Sequence, residues 1–403
     1  MIKLFILMML LRGGGAVADT GFGRFAERQA QLFQKAYEAR DTVTYNSLLA
    51  EFLGRYDKLG ADERRNFTGY HFDAYYNLCC TFALMGQKER AFYYLDESIK
   101  AGMTNYTHLL SDPDLVSIRD DPRFKPMVEP TRRLGDYMYI LAHAGAYNTS
   151  DKRPFPAFTY APASDPNLAA LRKGFNLDSI AGGGNEASQV INLLHWIHDL
   201  VPHDGQHNNP AVMNAMSLIT VCKRDNRGLN CRGLATVLNE CYLAMGFKSR
   251  FVTCLPKDSL HVDNDCHVID MVYLPSLRHW VWMDPTNDAY VMDERGQLLD
   301  IASVRERVID GRMLIVNPDA NWNRRQSTLK EDYLYNYMAK NLYMLECNTN
   351  SGFDVETAAP GKKREMVLLL PLDYFKQGPD SSASGNFVTY RTNNPGAFWA
   401  APN

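Results

Sequence analysis

Cys231 stands in the run Gly228-Leu229-Asn230-Cys231-Arg232-Gly233, just ahead of a helical apolar face formed by Leu234, Val237, Leu238, Cys241 and Met245. Gly246 fits the residue after the helix. Asn230 is a good N-cap, which puts Cys231 in the first helical turn. There the unpaired amides and the helix dipole favour a thiolate over a thiol. The same amides can hold an oxyanion during acyl transfer. A lone cysteine is more often a small buried hydrophobe. The position of this one, before the apolar face and between glycines, favours the reactive reading.

The elements that follow can supply a base. Residues 248–255 are rich in β-formers, and a polar loop, 256–265, leads to 266–274, where His267, Ile269, Met271 and Tyr273 alternate with Val268, Asp270 and Val272. After Pro275-Ser276, residues 279–284 read as a third strand with Trp280, Trp282 and Asp284 on one face. A hairpin of this kind brings His267 and Asp284 together against the helix start that carries Cys231. His267 would take the thiol proton, and Asp284 would fix its tautomer and stabilise the imidazolium. Upstream, residues 186–201 form an amphipathic helix ended by Pro202. A polar loop, 203–210, and a second helix near 211–221 follow. His203, Asp204 and His207 in that loop read as a capped loop or an active-site rim rather than a metal site. No cofactor-binding or metal-ligating set is expected anywhere in the chain.

The run Asn230-Cys231-Arg232-Gly233, then Gly246-Phe247-Lys248-Ser249-Arg250, His267-Val268 and Trp282-Met283-Asp284-Pro285-Thr286, resembles the transglutaminase-like superfamily over about residues 170–300. The resemblance implies a papain-like fold in which Cys231, His267 and Asp284 carry the triad roles. It also has departures. The cross-linking enzymes of animals have a tryptophan after the nucleophile, where Arg232 stands here, and an upstream tryptophan that steadies the oxyanion. Trp196 lies in the right region but on an apolar helix, where core packing suits it better; the loop 203–209 is the alternative donor. No acidic cluster reads as a calcium site.

The remaining chain frames this core. Residues 1–18 read as an export signal, with Lys3, the apolar run 4–11 and Ala16-Val17-Ala18. Residues 19–135 read as helical. Tyr75, Leu78, Phe82, Gly86, Ala91, Leu95 and Ser98 fall at tetratricopeptide-like offsets. Pro-rich residues 136–165 read as a linker and 166–403 as the catalytic domain, with late strands at 365–374 and 386–391 joined by a Ser-rich turn, 378–385. The aromatic segment ending Phe398-Trp399 would pack on the core or cover the active-site mouth. The formal net charge of −3 in 403 residues, with scattered Lys and Arg, argues against nucleic acid. No stretch is long enough for a membrane span. None of the eight cysteines forms a C-x-x-C pair, though Cys254 and Cys266 flank one loop and could bridge.

The sequence therefore reads as an exported, soluble α+β protein: a helical, tetratricopeptide-like domain, then a transglutaminase-like, papain-like domain with an antiparallel sheet. The chemistry expected is thioester-mediated hydrolysis of peptide or amide bonds in a peptide, protein or cell-wall peptide. Alternatives are protein-glutamine γ-glutamyl transfer and a catalytically idle binding module, with the helical domain as a contact for a protein partner. The exported layout is similar to that of transglutaminase-like proteins of Bacteroidota.

Overall fold

The structure, a computed structural model, describes residues 21–257, 265–378, 380–381 and 385–402. The export signal expected at 1–18 and part of the Ser-rich turn lie outside the described residues. The chain divides into two compact units, Met1–Ile140 and Leu141–Asn403. No described helix is long and apolar enough to cross a membrane.

The first unit is helical. Helix α1 (Gly21–Glu38) is followed by α2 (Thr42–Tyr56), whose N-cap Asp41 accepts from the Thr44 amide. Helices α3 (Thr68–Leu84) and α4 (Lys88–Lys100) form a hairpin. Gly86 turns the chain between them at φ +72°, a conformation that costs glycine little. Leu78, Phe82, Ala91 and Leu95 are buried in the unit's core. Ser98 donates its hydroxyl to the Phe72 carbonyl, tying the two helices across the hairpin.

The second unit begins before the domain expected from 166. Residues from Leu141 on are bound into it rather than spanning between domains. Asp151 accepts from the Asn393 amide at 2.7 Å and from Arg153, and Arg153 in turn donates to the Gln377 carbonyl at 2.5 Å. Proline and small polar residues give this segment no period to read, yet Asp151 and Arg153 tie it to residues beside the late strands.

Four longer helices, α5 (Pro166–Gly174), α6 (Glu186–Leu200), α7 (Ala215–Asp225) and α8 (Cys231–Ala244), and a short one, Leu177–Ala181, precede the sheet. Helix α8 is the core of the unit, with every residue from Gly233 to Ala244 buried. Full burial of a Leu or Val side chain contributes about 1.5–3 kcal/mol. Packing, more than intrinsic propensity, therefore fixes this helix. Glu240, buried within it, accepts from the Ala215 and Asp354 amides, so its carboxyl group satisfies the first amide of α7.

The main sheet is β1 (Lys248–Leu255), β2 (His267–Leu274), β3 (His279–Met283), β4 (Met344–Asn348), β5 (Arg364–Leu369), β6 (Asp380–Ser381) and β7 (Phe387–Thr392), in the order β6-β7-β5-β4-β1-β2-β3. Between β3 and β4 lie α9 (Ile301–Asp310) and a π-helical segment, Glu331–Met338. The sheet is antiparallel except for one pair. The two late strands do not form a hairpin: β5 and β7 run parallel, Arg364 opposite Phe387 through Leu369 opposite Thr392. After Pro371 the chain loops away, with the Leu372 amide on the Ala146 carbonyl, and returns along β6 before entering β7 in the same direction as β5.

Cys254 and Cys266 are both free thiols. Cys254 pairs in register with His267, so Cys266 falls one residue out of step, where strand alternation turns its side chain away. The tail packs on the core, with Phe398 buried and its carbonyl accepting from Arg250 at 2.6 Å.

Two close approaches hold the loop after α6 against the start of α8. The Asp204 amide donates to the Leu229 carbonyl at 2.7 Å and the Leu229 amide to the Pro202 carbonyl at 3.1 Å. A Cβ at Gly228 would sit 2.4 Å from that Pro202 oxygen and 2.8 Å from Asp204 Cβ. Gly228→Ala is therefore expected to cost about 1–3 kcal/mol, as overpacking does, because backbone faces backbone and neither can give way. Urea unfolding of the full chain checks this; an unchanged midpoint would contradict the packing described.

Candidate active site

The antiparallel pairing of β2 and β3 sets the geometry. Asp270 lies opposite Met283, so the next step places Asp284 beside Ile269, on the face that also carries His267. His267 Nε2 donates to Asp284 Oδ2 at 2.7 Å, with both side chains buried. With Nε2 on the carboxylate, Nδ1 is the ring nitrogen left for Cys231, which lies in hydrogen-bonding reach. The Tyr337 hydroxyl is 3.5 Å from the same Nδ1.

Asp284 just follows β3, where its backbone bridges to Ala289. Oδ1 accepts from the Thr286 amide at 2.9 Å, and Oδ2 accepts from Asn287 Nδ2 at 3.0 Å and from the Tyr333 hydroxyl at 2.5 Å. Burial pushes its acidity down, but the charge of His267 and these hydrogen bonds outweigh it and hold the pKa below the ordinary value. His267 moves the other way: burial disfavours its charge, yet Asp284 raises its pKa well above that of a free imidazole.

Cys231 is the first residue of α8, as the Asn230 cap implies: Asn230 Oδ1 accepts from the Gly233 amide at 3.2 Å. The amides of Cys231 and Arg232 thus precede the first intrahelical acceptor. Asn209 fixes the cap, donating to Asn230 Oδ1 at 2.6 Å and accepting from the Asn230 amide at 3.0 Å. A Cβ at Gly233 would lie 2.7 Å from Asn209 Oδ1, so the second glycine of the motif makes room for that clamp. The thiol packs near Ala235, Phe251 and Val268. Burial would raise its pKa, but hydrogen bonds from His203 and His267 prevail and lower it to about 6.

Arg232 points to the sheet. It donates to Glu356 Oε2 at 3.0 Å and to Thr253 Oγ1 at 2.8 Å, anchoring the helix start to β1. Trp196 is half-buried against Phe175, 5.8 Å between ring centres, and packs with the α5–α8 core. His203, Cys231 and His267 line one cleft of about 490 Å³, whose lining also includes Trp322, Gln326, Thr328 and Asp332. Tyr333, Tyr337 and Trp322 were not singled out in the sequence. Each reaches the site from a segment with no motif of its own.

Among the described residues, His195, Asp288 and Asp319 bring metal-ligand atoms within 4.8 Å of one another. The two nitrogens of His195 already face different carboxylates, Nδ1 on Asp288 at 2.7 Å and Nε2 towards Asp319 at 3.7 Å. The trio acts as an ionic strut holding the loop after Asp284 to α6.

Residues 174–285 match the transglutaminase-like superfamily, and Cys231, His267 and Asp284 all fall inside the match. A transglutaminase-like domain thus follows a helical region in this chain. No curated protein and no solved structure matches the chain.

Two outcomes are expected. The rate of Cys231 alkylation by iodoacetamide follows the thiolate fraction, so it rises with pH to a plateau with a midpoint near 6, against about 8.5 for a free cysteine. In His267→Ala the midpoint shifts upward. Peptide mapping after timed quenching reads this, and a native midpoint above 8 would refute the ion pair. Tyr333→Phe removes a donor from a buried carboxylate and should cost about 1.5–3 kcal/mol in urea unfolding, the usual range for a hydrogen bond to a charged group.

Proposed function

We propose that this chain is a cysteine-dependent hydrolase of peptide or amide bonds, with Cys231 as nucleophile, His267 as base and acid, and Asp284 as the residue that orients His267. The observation that carries the reading is the placement of His267, fixed through Nε2 by a buried carboxylate and turned through Nδ1 to a thiol at a helix start. Match to the superfamily over 174–285 supports the same chemistry.

The steps follow from the charges. The Cys231 thiolate attacks the amide carbonyl carbon; a C–S bond forms and the π pair moves onto oxygen. Amides at the start of α8 are placed to receive that oxyanion. As the pair returns, the C–N bond breaks and the leaving amine takes a proton from the His267 imidazolium, leaving a thioester. Neutral His267 then takes a proton from water as the hydroxide adds to the thioester carbonyl. Collapse releases the carboxylic acid and restores the thiolate–imidazolium pair. Throughout, Asp284 keeps the ring in one tautomer and offsets its positive charge.

Water is the proposed acceptor. The cleft that holds Cys231 carries polar groups, among them His203, Asn287, Gln326 and Thr328, that can hold an attacking water. Arg232, where the cross-linking enzymes have tryptophan, is committed to Glu356 and Thr253.

A side-by-side assay tests this: amine release from a peptide library against incorporation of a dansylated amine into a glutamine-rich protein. Hydrolysis should dominate. Cys231→Ala and His267→Ala should abolish it, with losses on the order of 10⁶ in kcat, and Asp284→Ala should cost less, on the order of 10⁴. Cys231-dependent amine incorporation that outruns hydrolysis would assign a transferase. Silence in both assays, with an unreactive thiol, would assign a binding module.

A further inference from the structure

His203 is held more firmly than a loop histidine needs to be. Its amide donates to Asn323 Oδ1 at 2.6 Å and its carbonyl accepts from Asn323 Nδ2 at 2.9 Å, so one side chain grips both backbone groups. Its backbone also bridges to Leu229, two residues before the nucleophile. Trp322 Nε1 donates to His203 Nδ1 at 3.2 Å, with the rings edge to face at 6.2 Å. Both clamps come from one short hairpin, Asn321–Trp322 paired with Gln326–Ser327. Asn323 and Arg324 take left-handed conformations at its tip, φ +54° and +55°. Gly205 gives the ring room, since a Cβ there would lie 3.3 Å from His203 Cε1.

The consequence is chemical. An indole N–H can only donate, so Nδ1 must be the acceptor and the ring proton must sit on Nε2. The ring shares the cleft with Cys231 and lies within hydrogen-bonding reach of it. A neutral imidazole held in this way offers Nε2–H as a fixed donor in the cleft that holds Cys231. His267 cannot fill this role, because its Nε2 is bound to Asp284 and its Nδ1 serves the thiol.

We infer that His203 is a catalytic residue, the side-chain donor to the oxyanion, with Trp322 and Asn323 as the positioning residues that fix its tautomer and place. The inference rests on the proposed thioester chemistry. As the Cys231 C–S bond forms and the carbonyl π pair moves to oxygen, His203 Nε2–H donates a hydrogen bond to that oxygen without giving up the proton. When the pair returns and the C–N bond breaks, His267 alone supplies the proton to the amine. Trp196, bound into the helical core, takes no part.

The test compares two reactions of the full chain at Cys231. Hydrolysis of p-nitrophenyl acetate passes through an oxyanion; alkylation by iodoacetamide at pH 8.5 does not. Losing one oxyanion donor typically costs about 10²–10³ in rate. His203→Ala should therefore slow ester hydrolysis about 10²–10³-fold while alkylation changes no more than about fivefold. His203→Gln, which keeps an N–H donor, should recover part of the loss. Trp322→Phe, which keeps a ring but removes the indole donor, should lower kcat with little change in KM, and Trp196→Phe should match the native protein. Equal losses in both reactions would make His203 a structural residue, and native hydrolysis by His203→Ala would overturn the assignment outright. If native hydrolysis does not depend on Cys231, the proposed function itself fails and this inference falls with it.

Discussion

A carboxylate with no exposed surface stays ionised only when its surroundings replace the water it has lost. Asp284 meets that condition through the Thr286 amide, Asn287, the Tyr333 hydroxyl and His267. Asp270, three residues into β2 on the opposite face, does not: it is buried with neither oxygen hydrogen-bonded. Burial first, and the nearby charge of Asp284 second, push the pKa of Asp270 well above the ordinary value. Two acids on one hairpin thus shift in opposite directions because only one was given donors. The state of Asp284 then sets that of His267, and His267 helps to set that of Cys231.

Satisfying Asp284 places demands on the rest of the second unit. Tyr333 must arrive from the π-helical segment, and its hydroxyl also accepts from Trp282 Nε1 at 3.2 Å. The loop after Asp284 must turn back, and His195 holds it through Asp288. On the other side of the cleft, the start of α8 must stay against the sheet. Arg232, Glu356 and Arg364 form that link, with Glu356 also accepting from Asn348 at 2.9 Å. A buried arginine–glutamate pair is weak evidence for net stability. It is stronger evidence for register, since it joins the helix start to β4 and β5 at one point.

Much of this was legible because local chemistry and local period agreed. Strand 248–255 matched its β-formers residue for residue, and 267–274 differed by one residue at its start. The glycines at 228 and 233 flagged the motif, but their reasons, the Pro202 carbonyl and Asn209, lie elsewhere in the chain. Strand β4 gives only a short signal: buried Leu345 and Cys347 alternate with half-buried Glu346 and Asn348, and four residues are too few to tell a strand from chance. The parallel pairing of β5 and β7 was missed because a Ser-rich stretch between two strands implies a hairpin, while direction is set by where the intervening loop anchors.

The sequence by itself determined the setting of Cys231, a cysteine after an N-capping asparagine at the start of an apolar helix, and the order of a histidine strand and an aspartate strand behind it. Those features depend on neighbours within a few residues, where cap chemistry and strand period act. Only the tertiary structure decided which donors keep Asp284 charged, which nitrogen of each histidine faces the cleft, and that His203 rather than Trp196 stands beside Cys231. Tyr333 lies 49 residues from Asp284, and Trp322 lies 119 from His203. Contacts over such separations leave no trace in local periodicity. They exist because the folded sheet and helices bring the two side chains within a hydrogen bond of each other.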